Sequence, residues 1–293
     1  MLKKYKGRYF GVKDPIKLLN LNFIYDVMIP YYPSGVVDDQ VFHVESVLLC
    51  EETAGELYRN YTPAKVHYKP GSRPALEKIV NECVNPGLGE RDKMMALLRF
   101  VRDLPERKPE LPRDFSGGTE EEVIGRSSSY CGEQARVLVR LCQVAGMQAR
   151  LVGHFSVFNM DGSILSLGHG VTEILIEGRF AYVDIRGIVI ERPDGRLASA
   201  YDLMMFPEII EKQPAHILKE IRPKYSLEKT RERFLSPRNI TLISNYLIED
   251  TGKYDYRRIY RDTGFDKQYT ALVNQKTEEY KQKLLNLDYS CRA

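Results

Sequence analysis

The sequence predicts an α+β fold on three observations. Helical apolar spacing begins near residue 72, a cysteine opens a further amphipathic helix at residue 131, and short antiparallel-type strands follow that helix. A helix leading into an antiparallel meander is an α+β arrangement. The chain divides by pattern into a mixed segment (1–71), a core (72–200) and a mostly helical C-terminal segment (201–293) expected to pack on the core.

In the first segment Asp39–Leu49 is the best strand candidate, and Tyr31-Tyr32-Pro33-Ser34-Gly35 reads as a turn. Ser72 is placed to cap a helix with Pro74 in its first turn. Leu76, Ile79, Val80 and Cys83 form its apolar face before Asn85-Pro86-Gly87 stops it. Met94, Leu97, Leu98 and Val101 mark the next helix. Leu104–Pro112 carries prolines at 105, 109 and 112 and is expected to be loop. The polar stretch 116–119 and the acidic run 120–122 then suggest an exposed helix start.

Cys131, Ala135, Leu138, Cys142 and Ala145 lie on one helical face, and Gly146 can end that helix. Ala149–Phe158 reads as a strand and Asp161-Gly162 as a turn. His169–Ile176 and Phe180–Ile185 form a hairpin around Glu177-Gly178. Past residue 200, Tyr269, Leu272, Val273, Tyr280, Leu284 and Leu287 outline a closing helix.

Composition narrows the functional classes. Lys and Arg number 43 against 40 Asp and Glu, a net charge of +3, too small to argue for nucleic acid or an anionic membrane. Lys253–Arg261 interleaves basic and aromatic residues, but a solvated face explains it equally well. No apolar run approaches the roughly 20 residues of a spanning helix. The basic start is not followed by a signal-peptide core, so a cytoplasmic location is expected. The five cysteines form no C-x-x-C pair, and their odd number fits no closed disulfide framework.

One of those thiols is placed to react. Cys131 begins its helix, where the dipole and unsatisfied N–H groups favour thiolate over thiol, although Glu133 opposes this from the same turn. Cys142, mid-helix on the apolar face, reads as core. A two-residue loop at Glu177-Gly178 pairs Ile176 with Arg179. His169 and Asp184 then share a face as diagonal neighbours, about 7–8 Å apart at Cα. A four-residue loop sets them opposite each other, and a three-residue loop separates them onto opposite faces. A carboxylate holding one imidazole nitrogen leaves the other as base toward a thiol, the logic of Cys-His-Asp catalysis. Gly168 and Gly170 flank the histidine and are expected to leave room for a substrate backbone.

His154, mid-strand, is a rival base, although a hydrogen-bonded structural histidine is the simpler reading. A metal site from Cys131, His154 and His169 matches no compact zinc spacing. His43, His67 and His216 lack acidic or cysteine company and read as structural.

The sequence resembles the transglutaminase-like superfamily, whose fold is related to papain-like cysteine proteases. The resemblance rests on Cys131-Gly-Glu-Gln-Ala135 with Leu138, Leu141-Cys142 and Gly146-Met147-Gln148-Ala149-Arg150-Leu151-Val152. It continues in Gly168-His169-Gly-Val-Thr-Glu173 and Phe180-Ala-Tyr182-Val-Asp184, and covers about residues 72–190. It implies Cys131 as nucleophile, His169 as general base and acid, and Asp184 as orienting carboxylate. The implied reaction is attack on a peptide or peptide-like amide to give a thioester, followed by transfer to water or an amine. That chemistry requires no metal or nucleotide cofactor. Family members often carry Trp near the histidine and aspartate. Val171 and Phe180 stand there in this chain, which has no Trp. The backbone N–H of Cys131 is one natural oxyanion donor. The second is unassigned, with Gln134 and Tyr130 nearest in sequence. Two further readings fit the same residues: a catalytically silent binding or scaffold protein, and a peptide:N-glycanase-like amidase.

Overall fold

The computed structural model describes residues 35–37, 40–60, 68–107, 119–158, 164–219, 227–235 and 239–248. It also describes 19, 22–23, 271, 275–276, 278–283 and 286. The Tyr31–Ser34, Asp161-Gly162 and Lys253–Arg261 segments, His67, Cys291 and the stretch 108–118 lie outside the described residues.

The fold is α+β. Strands β1 (Gly35–Val37) and β2 (Gln40–Leu48) lead into α1 (Glu51–Gly55), which continues as a π-helical turn, Glu56–Asn60. Helices α2 (Pro74–Cys83), α3 (Glu90–Arg102), α4 (Leu104–Arg107), α5 (Glu120–Gly125) and α6 (Cys131–Val144) follow. Then come β3 (Ala149–Phe158), β4 (Ile164–Ile176), β5 (Arg179–Asp184) and β6 (Ile188–Val189). The last described elements are α7 (Ala200–Met205), a 3-10 turn (Pro207–Glu211), α8 (Ala215–Leu218), α9 (Leu227–Leu235) and β7 (Ile240–Ile248).

The described strands form one antiparallel sheet in the order β1-β2-β7-β3-β4-β5-β6. Strand β7 lies in the C-terminal segment expected to be mostly helical. It fills the gap between β2 and β3, so chain from both ends completes the sheet. Leu242 and Ile243 are buried there, which is what a central strand requires.

Both sheet faces are covered. Ala149, Ile174, Ile176, Ala181 and Val183 meet α2, α3, α5 and α6 on one side. Val152, Val171, Tyr182 and Ile243 meet Leu49, Leu57, α7 and Ile210 on the other. The alternation along β4 and β5 thus sends neighbouring residues into two separate cores. The helix α6 is almost wholly buried, and Ala135, Leu138, Leu141 and Cys142 are inaccessible. Its end is a Schellman motif: Met147 N–H donates to the Cys142 carbonyl (2.8 Å) and Gly146 N–H to that of Gln143 (3.0 Å). Gly146 takes φ +81°, the left-handed conformation that glycine adopts without a Cβ penalty.

Several local expectations need correction. Arg73, not Ser72, occupies the N-cap of α2, and its guanidinium pairs with Glu120 and Glu121. The acidic run does start a helix, capped by Thr119. Glu120, however, is buried at 1% exposure rather than solvated, between Arg73 (2.8 Å) and Arg136 (3.4 Å). Leu104–Arg107 is helical, because Pro105 sits in a first turn where no N–H is needed. Strand β4 begins at Ile164, five residues before His169. In the closing segment, 278–283 is helical and Tyr280 is buried against Phe23, ring centroids 5.4 Å apart. Among the described residues no helix is long and apolar enough to cross a membrane.

Candidate active site

The site is built where the start of α6 meets β4. Ile176 pairs with Arg179 across a two-residue turn whose φ angles are +50° at Glu177 and +78° at Gly178, a type I′ hairpin. This is the register that sets His169 and Asp184 on one face. His169 Nε2 lies 2.8 Å from Asp184 Oδ2. The remaining ring nitrogen, Nδ1, is available to Cys131, whose thiol hydrogen-bonds the imidazole. The sequence-predicted cysteine, histidine and aspartate are therefore joined in one line.

The thiol reaches His169 because of what is missing at Gly170. Gly170 pairs with Gly153 across β3 and β4, and a Cβ at Gly170 would lie 2.9 Å from Gly132 Cα and 3.2 Å from Gly132 N. The helix start lies flush against the strand, and the Gly170 N–H donates to the sulfur. The space expected for a substrate backbone at Gly170 is filled by the protein's own helix. Gly170→Ala is expected to force Cys131 away from His169 at a cost of about 1–3 kcal/mol. Slower iodoacetamide alkylation of Cys131 and a lower urea midpoint would report it; wild-type values for both would refute it.

The loop before α6 is equally constrained. Ser127 takes φ +55°, Tyr130 N–H donates to Ser128 Oγ (3.2 Å), and Gln134 Nε2 donates to the Ser128 carbonyl (2.9 Å). The same nitrogen also donates to the Val101 carbonyl (3.4 Å), so both hydrogens of the buried Gln134 amide are committed to backbone carbonyls and away from an oxyanion. Glu133, expected to oppose the thiolate, is compensated: Arg126 (2.5 Å) and Ser128 Oγ both bind its carboxylate. Tyr130 stands 45% exposed beside the thiol, and burial together with the charges of Cys131 and Glu133 raises its phenol pKa.

Charge at the site follows from these contacts. Burial disfavours the Cys131 thiolate, but the His169 hydrogen bond and charge, the Gly170 N–H and Arg186 outweigh it and lower the thiol pKa. Burial likewise disfavours charge on His169, yet Asp184 and the Cys131 thiol raise the imidazole above its usual range. Cys142 behaves oppositely: burial alone pushes its thiol far up, as a core residue requires.

Asp184 is fully buried and receives three partners: His169, the Arg186 N–H (2.9 Å) and Arg233 Nη1 (3.2 Å). Burial works against its charge, but these groups bring the carboxyl down to about 2 from 3.8. Because the folded carboxyl is the more acidic, this stabilisation is complete above about pH 4 and is lost as pH falls toward 2. The difference corresponds to about 2 kcal/mol. Asp184→Asn is expected to lower stability at pH 6 and to flatten the acid limb of urea stability between pH 4 and 2. An unchanged acid limb would contradict it.

His154 is engaged elsewhere. Its Nδ1 lies 3.1 Å from Thr241 Oγ1 and its Nε2 3.2 Å from the Tyr182 hydroxyl. Burial first, then the Arg233 charge, keep it neutral. His216 is exposed and meets Glu191 at 3.2 Å. Among the described residues no group of three or more His, Cys, Asp or Glu is arranged to hold a metal ion. Sequence reasoning missed Arg186 and Arg233. Arg186 follows Asp184 by two residues and was visible as a nearby cation; Arg233 comes from a distant helix and leaves no local signal.

Compared with protein families, characterised proteins and solved structures, the chain finds no match.

Proposed function

We propose that this protein is a cysteine-dependent hydrolase or acyltransferase acting on an amide bond, with a peptide or peptide-like substrate. The observation that carries the reading is the line Cys131–His169–Asp184 at the partly exposed start of a helix, with the thiol pKa lowered and the imidazole pKa raised. On this reading the helix-on-antiparallel-sheet core is of the transglutaminase-like, papain-related kind suggested by the sequence motifs.

In the proposed reaction the Cys131 thiolate attacks the amide carbonyl, and negative charge develops on oxygen near the Cys131 N–H. His169 gives its Nδ1 proton to the departing amine as the C–N bond breaks and a thioester forms. The neutral imidazole then takes a proton from water, or from an acceptor amine. The resulting nucleophile displaces Cys131 from the thioester, which releases the carboxylic acid or the new amide and restores the thiolate beside the imidazolium. Asp184 holds the ring and favours the imidazolium throughout. Hydrolysis is the first choice, because transfer requires an amine to outcompete water.

A second reading, a silent scaffold on the same fold, draws on the chain's lack of Trp and on the commitment of Gln134 to the Ser128 carbonyl. Electrophilic activity-based labelling of wild type and Cys131→Ala, followed by a peptide, amide and glycopeptide library, separates the readings. Cys131-dependent turnover is expected. Labelling without any turnover favours the scaffold, and release of glycan favours a peptide:N-glycanase-like amidase.

A further inference from the structure

The catalytic carboxylate has a partner that the three-residue line does not include. Arg233, near the end of α9, places Nη1 3.2 Å from Asp184 Oδ2, the same oxygen that His169 Nε2 approaches at 2.8 Å. Its side chain is 18% exposed, against 0% for Asp184. The guanidinium also donates to the Tyr182 hydroxyl.

A closed circuit of polar contacts holds Arg233 there. Asn239 donates from its amide nitrogen to the Arg233 carbonyl (2.5 Å). A carbonyl only accepts, so that atom is the NH2, and its contact with His154 Nδ1 at 3.3 Å makes Nδ1 an acceptor. His154 Nε2 then carries the proton and donates to the Tyr182 hydroxyl at 3.2 Å. Tyr182 returns the circuit to the Arg233 side chain. The ring of Phe234 packs edge-on against both His154 (5.0 Å) and Tyr182 (5.5 Å). Backbone and side chain of Arg233 are thus both anchored by β3, β5 and the start of β7.

We propose that Arg233 is a positioning residue of the site. It shares the Asp184 oxygen with His169, orients the carboxylate, and keeps the imidazole from binding its proton too tightly to release it. The proposal rests on the cysteine–histidine reading of the site and adds a role for the C-terminal helix.

The groups facing His169 and Asp184 have opposing effects. Cys131 from α6 and Asp184 from β5 favour the imidazolium. Arg233 from α9 opposes it, as does burial. Arg186 from the β5–β6 turn faces Cys131 and Asp184; His154 from β3 is neutral, and the phenol of Tyr182 from β5 stays protonated. Tyr130, from the loop before α6, faces the thiol. Removing the Arg233 charge therefore moves the His169 ionisation upward, because a repelling cation leaves and Asp184 Oδ2 turns wholly to His169.

The test uses the full chain with 13C-labelled histidine imidazoles, titrated by NMR. It is paired with the pH profile of iodoacetamide alkylation at Cys131, resolved by peptide mapping. Arg233→Gln is expected to shift the His169 midpoint to higher pH, and the upper limb of the alkylation profile with it. Arg233→Lys should shift less, because it keeps the charge. Arg231→Gln, on the same helix as Arg233 but paired with Glu211 of the 3-10 turn, should leave the midpoint unchanged. If Arg233→Gln does not fold, Arg233→Met, which keeps the apolar stem, takes its place.

A midpoint for Arg233→Gln equal to wild type would overturn the proposal. So would equal shifts in the Lys and Gln variants, since lost packing rather than charge would then be the cause. A wild-type alkylation profile indifferent to His169→Ala would instead overturn the underlying reading of the site, so the two failures are distinguishable.

Discussion

At pH 6, His169→Ala is expected to slow iodoacetamide alkylation of Cys131 by about tenfold or more. An unperturbed thiol has a pKa near 8.5 and is only about 0.3% ionised at that pH. In the folded protein the hydrogen bond and charge of His169 offset the burial penalty and hold Cys131 toward thiolate. Thiolates of lower pKa are intrinsically weaker nucleophiles, with a Brønsted coefficient of about 0.4–0.5, so the rate gain is smaller than the gain in ionised fraction. Wild type should keep reacting in mildly acidic solution, whereas the variant should follow an ionisation in the ordinary thiol range or above. Peptide mapping can use the partly exposed Cys83 as an internal reference in both proteins. Identical Cys131 rates in the two proteins would exclude an imidazole-activated thiol.

Glu173→Gln is expected to destabilise the fold by about 3–5 kcal/mol, through an ion pair with no access to water. Arg150 and Glu173 face each other across β3 and β4, both at 0% exposure. Arg150 donates to Glu173 Oε2 from Nε (2.8 Å) and Nη2 (2.6 Å), and to the Leu57 carbonyl from Nη1 (2.8 Å). Glu173 Oε1 accepts from the Tyr58 hydroxyl and from the Ala200 N–H, each at 2.7 Å. The guanidinium stacks 3.7 Å from the centre of the Phe180 ring. This network ties the π-helical turn, the sheet and the start of α7 together, and the neutral amide would leave Arg150 buried without its counter-charge. Replacing both residues, Arg150→Met with Glu173→Leu, should recover much of the loss, because no isolated charge remains. Urea unfolding followed by circular dichroism measures all three proteins. A loss below about 1 kcal/mol in the single variant would contradict the argument.

Much of this architecture is legible in the sequence. The helix faces of Leu76, Met94 and Leu138 repeat at the helical period, and each of those side chains is buried. The Glu177-Gly178 hairpin leaves three loop lengths open, two of which set His169 and Asp184 on a shared face, and the structure takes the two-residue one. Cys131 was identifiable because a helix start is itself a local signal. Arg150 and Glu173 stood in the motifs, but their partnership did not, since the register of β3 against β4 shifts at an irregularity between Ser156 and Phe158 that counting from the turn does not reveal.

Strand β7 shows the limit of such reading. Its partners, β2 and β3, lie about two hundred and about ninety residues away, and nothing in its own pattern names them. Arg233 is the sharper case. It is one of many charged residues in a polar helix, and becomes part of the site only because Asn239, His154 and Tyr182 hold it beside Asp184. The roles of Gly170 and Glu133 changed in the same way: a gap expected to serve substrate accommodates a helix, and a charge expected to oppose the thiolate is held by Arg126.

By itself, the sequence determined the α+β class, the place of Cys131 at a helix start and a short list of registers for His169 and Asp184, because periodicity, helix ends and tight turns are local physics. Only the tertiary structure decided how close the helix stands to the strand, which charges are compensated and which distant cation reaches the carboxylate. Those depend on packing between elements far apart in the chain, where position in sequence no longer limits position in space.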